Sequence, residues 1–183
     1  MKHDDFEEES KSLEDWGVWQ FSGDVDDEQS ADVIRWIIEE NFESRHEMLT
    51  LIINSPGGYV SSGLSVVDAM AGSTIPIRTV GMGIIASMGL LIFIAGKKGD
   101  RILTPNTLIM SHQFAGGIDG KEHELIAGIK RDKIIGEMIM RHFKKHTGLT
   151  EKMIRKHLLP PSDVYLTAKE ALELNLCDQI RLV

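Results

Sequence analysis

An α/β fold built on a parallel sheet is what this chain predicts, and three features of the sequence predict it. Compact apolar runs alternate with segments whose apolar residues recur at helical spacing, from Trp16 to about Ala95. Glycine- and proline-bearing breaks separate these runs. One long helix-period segment follows them. Strand–helix alternation of this kind is the mark of βαβ units.

The elements follow in order. Residues 1–15 are rich in Asp and Glu and read as a mobile acidic arm, leaving residues 16–183 as a single domain. Trp16 to Phe21 (WGVWQF) reads as the opening strand, and GDVDD supplies a turn and a helix start. Val33, Ile34, Ile37 and Ile38 place an amphipathic helix over roughly 28–41. Met48 to Asn54 (MLTLIIN) suits a buried parallel strand, with Pro56, Gly57 and Gly58 as the breaker after it. Ser61–Ala71 reads as a helix, 75–82 as a strand, and Ser87–Ala95 as a short apolar helix. Two short strands follow, Arg101–Thr104 and Thr107–His112. A glycine-rich stretch then leads to a helix from about Glu122 to His146, whose Leu125, Ile129, Ile134, Ile135, Met138, Ile139 and Phe143 make a broad apolar face. At 1.5 Å per residue that helix is about 37 Å long, enough to project and meet a partner. Thr167 and Glu170 form a capping box for a last short helix, and Ile180–Val183 reads as a final strand.

Composition narrows the function. The 183 residues carry a formal net charge of −8, which disfavours a phosphate backbone, so no nucleic-acid partner is expected. Cys177 is the only cysteine, so no internal disulfide forms, which fits a reducing, cytoplasmic setting, although an exported chain can also lack disulfides. The N-terminal MKHDDFEEES has no apolar h-region, and the run Met88–Ala95 is too short to span a bilayer, so no membrane partner is expected.

Nucleophilic chemistry is written around Ser87, in GMGIIASMG. It follows a strand and opens an apolar helix, where a hydroxyl faces solvent and free N–H groups favour a developing anion. The pattern is not G-x-S-x-G, because position 85 is Ile. The alternative is that Ser87 merely caps the helix. Of seven histidines, His112 alone closes an apolar strand and precedes a glycine-rich turn, while His123, His142, His146 and His157 fall on polar helical surfaces. It is therefore the best-placed base, with a structural strand-end histidine as the alternative. An orienting carboxylate completes such a set. Asp163 in PPSDVYLTA is one candidate; Asp32, Asp68, Asp119 and Asp178 compete, and spacing does not choose between them. Backbone N–H groups of Met88 and Gly58 are candidate oxyanion donors.

These pieces form a pattern. NSPGG at 54–58, GMGIIASMG at 81–89, MSHQ at 110–113 and DVYLTAKEA at 163–171 occur in one order and frame. Together they resemble the ClpP family, the proteolytic subunits of Clp proteases, over the chain from about Trp16 onward. The resemblance implies a ClpP/crotonase-type βαβ spiral core with a projecting handle over about 112–147. It implies Ser87 as nucleophile, His112 as base, Asp163 as orienting acid, and Gly58 and Met88 as oxyanion donors. It implies no cofactor and no metal. It also implies self-association into heptameric rings that stack in pairs, with protein and peptide substrates cut inside the chamber. An AAA+ unfoldase is the partner expected to feed that chamber.

The chain departs from the family in three places. HQP becomes HQF, with Phe114. The arginine before the acid, which takes part in a ring-to-ring ion pair, becomes Ser162. The N-terminal segment is acidic where the family builds apolar pore loops. The pattern fits a divergent member of phage or accessory type. Two other readings stand beside the peptidase: a scaffolding ring subunit without activity, which would have lost a triad residue, and a crotonase-like acyl-CoA enzyme, which would need acid–base carboxylates instead of a serine.

Overall fold

The computed structural model describes residues 11–117 and 119–183. Most of the acidic arm lies outside them, and Glu14–Trp16 forms a short 3-10 helix ahead of the domain. Strand β1 (Val18–Val25) leads into helix α1 (Asp27–Glu43), whose N-cap Asp26 accepts the Gln29 N–H at 2.8 Å. Then come β2 (Leu49–Gly58), α2 (Val60–Gly72), β3 (Ile77–Ala86) and α3 (Met88–Ile94). The strands pair in parallel, β1 with β2 and β2 with β3. Burial alternates along β2, with Leu49, Leu51 and Ile53 fully buried and Thr50 and Ile52 only partly so, which puts the core on one face of the sheet.

One expectation is corrected here. Pro56, Gly57 and Gly58 do not break the strand: β2 runs through them, and Asp24 and Val25 pair with Gly57 and Gly58. Register shifts on both sides, between Ser22 and Asp24 and between Ile53 and Ser55, absorb the proline that cannot donate to a ladder.

The sheet then branches, and the branch builds the site. The lower half of β3 (Thr79–Gly81) pairs with β4 (Arg101–Leu103), which pairs with β7 (Gln179–Ile180). Its upper half (Ile84–Ala86) pairs instead with β5 (Leu108–Ser111), and β5 pairs antiparallel with β6 (Val164–Thr167). The register Ala86↔Met110 sets the end of β3 beside the end of β5. Ser111↔Val164 brings the residue before β6 alongside the residue after β5.

Helix α4 (Glu122–Thr147) projects as expected. Its last turns bury Ile139, Met140 and Phe143, while Leu125, Ile126, Ile129 and Ile134 stay exposed. The resemblance implies a glycine-rich strand at the start of the handle, and none forms in residues 112–117; a lone strand with no neighbour to pair is unstable in water. Helices α5 (Glu151–His157) and α6 (Ala168–Glu173) complete the chain, α6 with the expected Thr167–Glu170 capping box. Among the described residues no helix is long and apolar enough to cross a membrane.

Candidate active site

Ser87 stands at the junction of β3 and α3 with φ 51° and ψ −119°, a backbone region that residues other than glycine rarely adopt. By position it is the N-cap of α3, yet its hydroxyl makes no capping bond. The Ser87 N–H donates to the Met110 carbonyl at 3.0 Å, which ties the turn to β5. The hydroxyl instead meets His112 Nε2 at 2.7 Å. The oxygen is thus aimed at the imidazole and not at its own helix.

The sharp turn exists without the G-x-S-x-G pattern because the room for it comes from another strand. Gly57, with φ +98°, lies against it: a Cβ there would be 2.6 Å from Ser87 Cβ and 2.9 Å from the Ala86 carbonyl. At Gly58 a Cβ would run into the backbone of Val25. Both glycines therefore let β2 approach its neighbours closely. The position two residues before the serine, where that pattern has glycine, holds Ile85, which is fully buried in the core.

A cleft of about 220 Å³ opens over this turn. Gly58, Ser87, Met88 and His112 all line it. Met88 is the first residue of α3, so its N–H precedes the helical ladder and has no carbonyl partner within the helix. Buried Leu91, Ile139 and Phe143 make an apolar wall. Sequence reasoning placed Ile139 and Phe143 only on an apolar helix face; the wall appears once α4 docks on α3. Phe114, which stands where the family has proline, also lines the cleft and packs against the core.

Of the five residues singled out, these four come together and Asp163 does not join them. Asp163 is exposed, directly before β6, and makes no side-chain hydrogen bond among the described residues. Its backbone nevertheless lies beside that of His112, one step beyond the Ser111↔Val164 pair.

Two other histidines need a correction. His142 and His146, expected on a polar helix surface, pack inward. His142 Nε2 is 2.8 Å from the Leu91 carbonyl, and the two rings lie 4.4 Å apart. Burial, with Lys145 nearby, pushes the His142 imidazole down to about 4. Burial and the neighbouring His142 do the same to His146. Their polarity hid a structural role that helical spacing against α3 would have shown.

A family model for Clp protease matches residues 2–182. The ATP-dependent Clp protease proteolytic subunit 2 of Thermobifida fusca (strain YX) is 35% identical over 156 residues, covering 85% of this chain and 76% of the relative. The seven-stranded sheet with its branched β3 and projecting α4 agrees with these matches. With the match spanning nearly the whole sequence, and a serine and a histidine in contact over the cleft, the chain belongs to the Clp protease family of serine peptidases.

Proposed function

We propose that the chain hydrolyses peptide bonds by acyl transfer at Ser87. The observation that carries this is the 2.7 Å contact between Ser87 Oγ and His112 Nε2 at the top of the strained turn. His112 takes the hydroxyl proton as Oγ attacks the scissile carbonyl. The N–H groups of Met88 and Gly58 receive the oxyanion. His112 then gives the proton to the leaving amine, and water, deprotonated by the same ring, releases the acyl group and restores Ser87. The reaction is complete with hydroxyl, imidazole and water, so it needs no cofactor. The apolar wall of Leu91, Ile139 and Phe143 suits an apolar side chain beside the cut bond.

Asp163 is the orienting acid in this reading. It is exposed in the single chain, and the ladder register sets its backbone beside that of His112. Assembly into stacked rings supplies their alignment. The exposed Leu125, Ile126, Ile129 and Ile134 of α4 support self-association, since apolar area contributes about 25 cal/mol per Å² when covered. An ATP-driven unfoldase is the partner that delivers protein substrates, in a reducing cytoplasm where the buried Cys177 stays a free thiol.

The test is turnover of fluorogenic peptides by the assembled protein and by Ser87→Ala, His112→Ala and Asp163→Asn. All three variants lose turnover while light scattering shows the same mass of many subunits. Full activity of Ser87→Ala overturns the reading.

A further inference from the structure

The last carbonyls of a helix have no partner inside it. Leu158, the C-cap of α5, and Leu159 just past it present such carbonyls, and β5 with the residues directly after it supplies the donors. Ser111 Oγ donates to the Leu158 carbonyl at 2.6 Å, and Gln113 Nε2 donates to the Leu159 carbonyl at 3.0 Å. Ser111 is 2% exposed and Leu158 is fully buried, so the first bond is made away from water, where an unmet carbonyl is costly.

The two donors flank His112, and the two acceptors are adjacent residues of one segment. Along β5, Ile109 and Ser111 point inward while Leu108 and Met110 do not. An inward position in an apolar core ordinarily takes an apolar residue, as at Ile109, and the serine is explained by the carbonyl it satisfies. His112 itself lies past the last ladder pair, Ser111↔Val164, so the sheet stops one residue short of it. Beyond the ladder, this pair of side-chain hydrogen bonds tethers the residues on either side of the imidazole.

We infer that Ser111 is a positioning residue for His112, with Gln113 as the second tether. The same segment, Leu158 to Asp163, leads to the proposed acid. The tethers therefore set base and acid from one anchor, the C-terminal end of α5. The inference rests on the assignment of Ser87 and His112 made above.

The experiment measures kcat and KM for a fluorogenic peptide, and the pH dependence of fluorophosphonate labelling, in the assembled protein. Ser111→Ala loses kcat by about tenfold to hundredfold, the scale of a misplaced catalytic group, with KM nearly unchanged and labelling slowed alike. Ser111→Thr keeps a hydroxyl and restores most of kcat, which a purely structural loss does not predict. Gln113→Met, at an exposed position, lowers kcat less and leaves the fold intact. A folded Ser111→Ala with unchanged kcat, or a Ser111→Thr as slow as Ser111→Ala, overturns the positioning role. If Ser111→Ala does not fold, Gln113→Met decides, and an unchanged kcat there overturns it. His112→Ala separates the two claims. If it stays active the base assignment fails; if it is inactive while Ser111→Ala is not slowed, only the positioning role fails.

Discussion

Gly57→Ala places one methyl group where the structure has no room for it. The added Cβ would lie 2.6 Å from Ser87 Cβ, 2.9 Å from the Ala86 carbonyl and 3.0 Å from the Met88 N. Carbon atoms in contact ordinarily rest about 3.5–4.0 Å apart, so strand β2 and the turn must separate by roughly 1 Å. Rotation cannot relieve the clash, because φ at this position is +98° and an alanine held there is itself strained by about 1–3 kcal/mol. Ser87 is held from the other side by its N–H on the Met110 carbonyl, so the displacement falls on the 2.7 Å contact with His112. A shift near 1 Å in a catalytic pair costs about hundredfold in rate. The assay is kcat together with the rate of fluorophosphonate labelling, alongside the melting temperature. Gly72→Ala is the control, because a Cβ there meets nothing within 4 Å. Gly57→Ala labels about a hundredfold more slowly while Gly72→Ala labels normally. Labelling of Gly57→Ala at the wild-type rate would refute the claim that this close approach shapes the turn.

The remaining predictions concern stability. His142 and His146 are held neutral by burial, with folded values of about 4 against 6.5 for an unhindered imidazole. The unfolded chain therefore binds protons that the folded chain refuses, and the contribution is full above pH 6.5 and lost as pH falls towards 4. Denaturant titrations across that window show stability falling by about 3 kcal/mol through His142, and His142→Gln flattens the slope; an equally steep slope in that variant contradicts this. Arg101, 1% exposed, grips Asp178 with bonds of 2.9 and 2.7 Å and donates to the His146 carbonyl at 3.0 Å. Arg101→Ala strands these acceptors and costs about 3–5 kcal/mol, read as a lowered melting temperature; an unchanged one refutes the pairing's role.

Much of this was legible in residue order. Apolar runs such as MLTLIIN and the helix-period face of α1 define their elements without help from the tertiary fold. Ser87 and His112 stood out because each ends an apolar run at a glycine-rich break. Other features depend on pairing across the chain, which local pattern does not carry. The continuation of β2 through Pro56 is decided by the bulges that seat it between β1 and β3. The branch of β3 has no local mark at all. Helix α5 is an element the sequence reading missed, although Thr150, which caps it, and Ile154 and Leu158 at helical spacing mark it; what its end does appears only when Ser111 reaches it. Asp163 is the opposite case: the resemblance names its role, while its carboxylate makes no side-chain hydrogen bond among the described residues.

The central claim is that Ser87 is the nucleophile. Its most direct measurement is intact mass after treatment with a fluorophosphonate probe, followed by peptide mapping. One adduct per chain, located on Ser87, abolished in Ser87→Ala and strongly slowed in His112→Ala, is the expected result. An adduct on another serine, or full labelling of Ser87→Ala, contradicts the account.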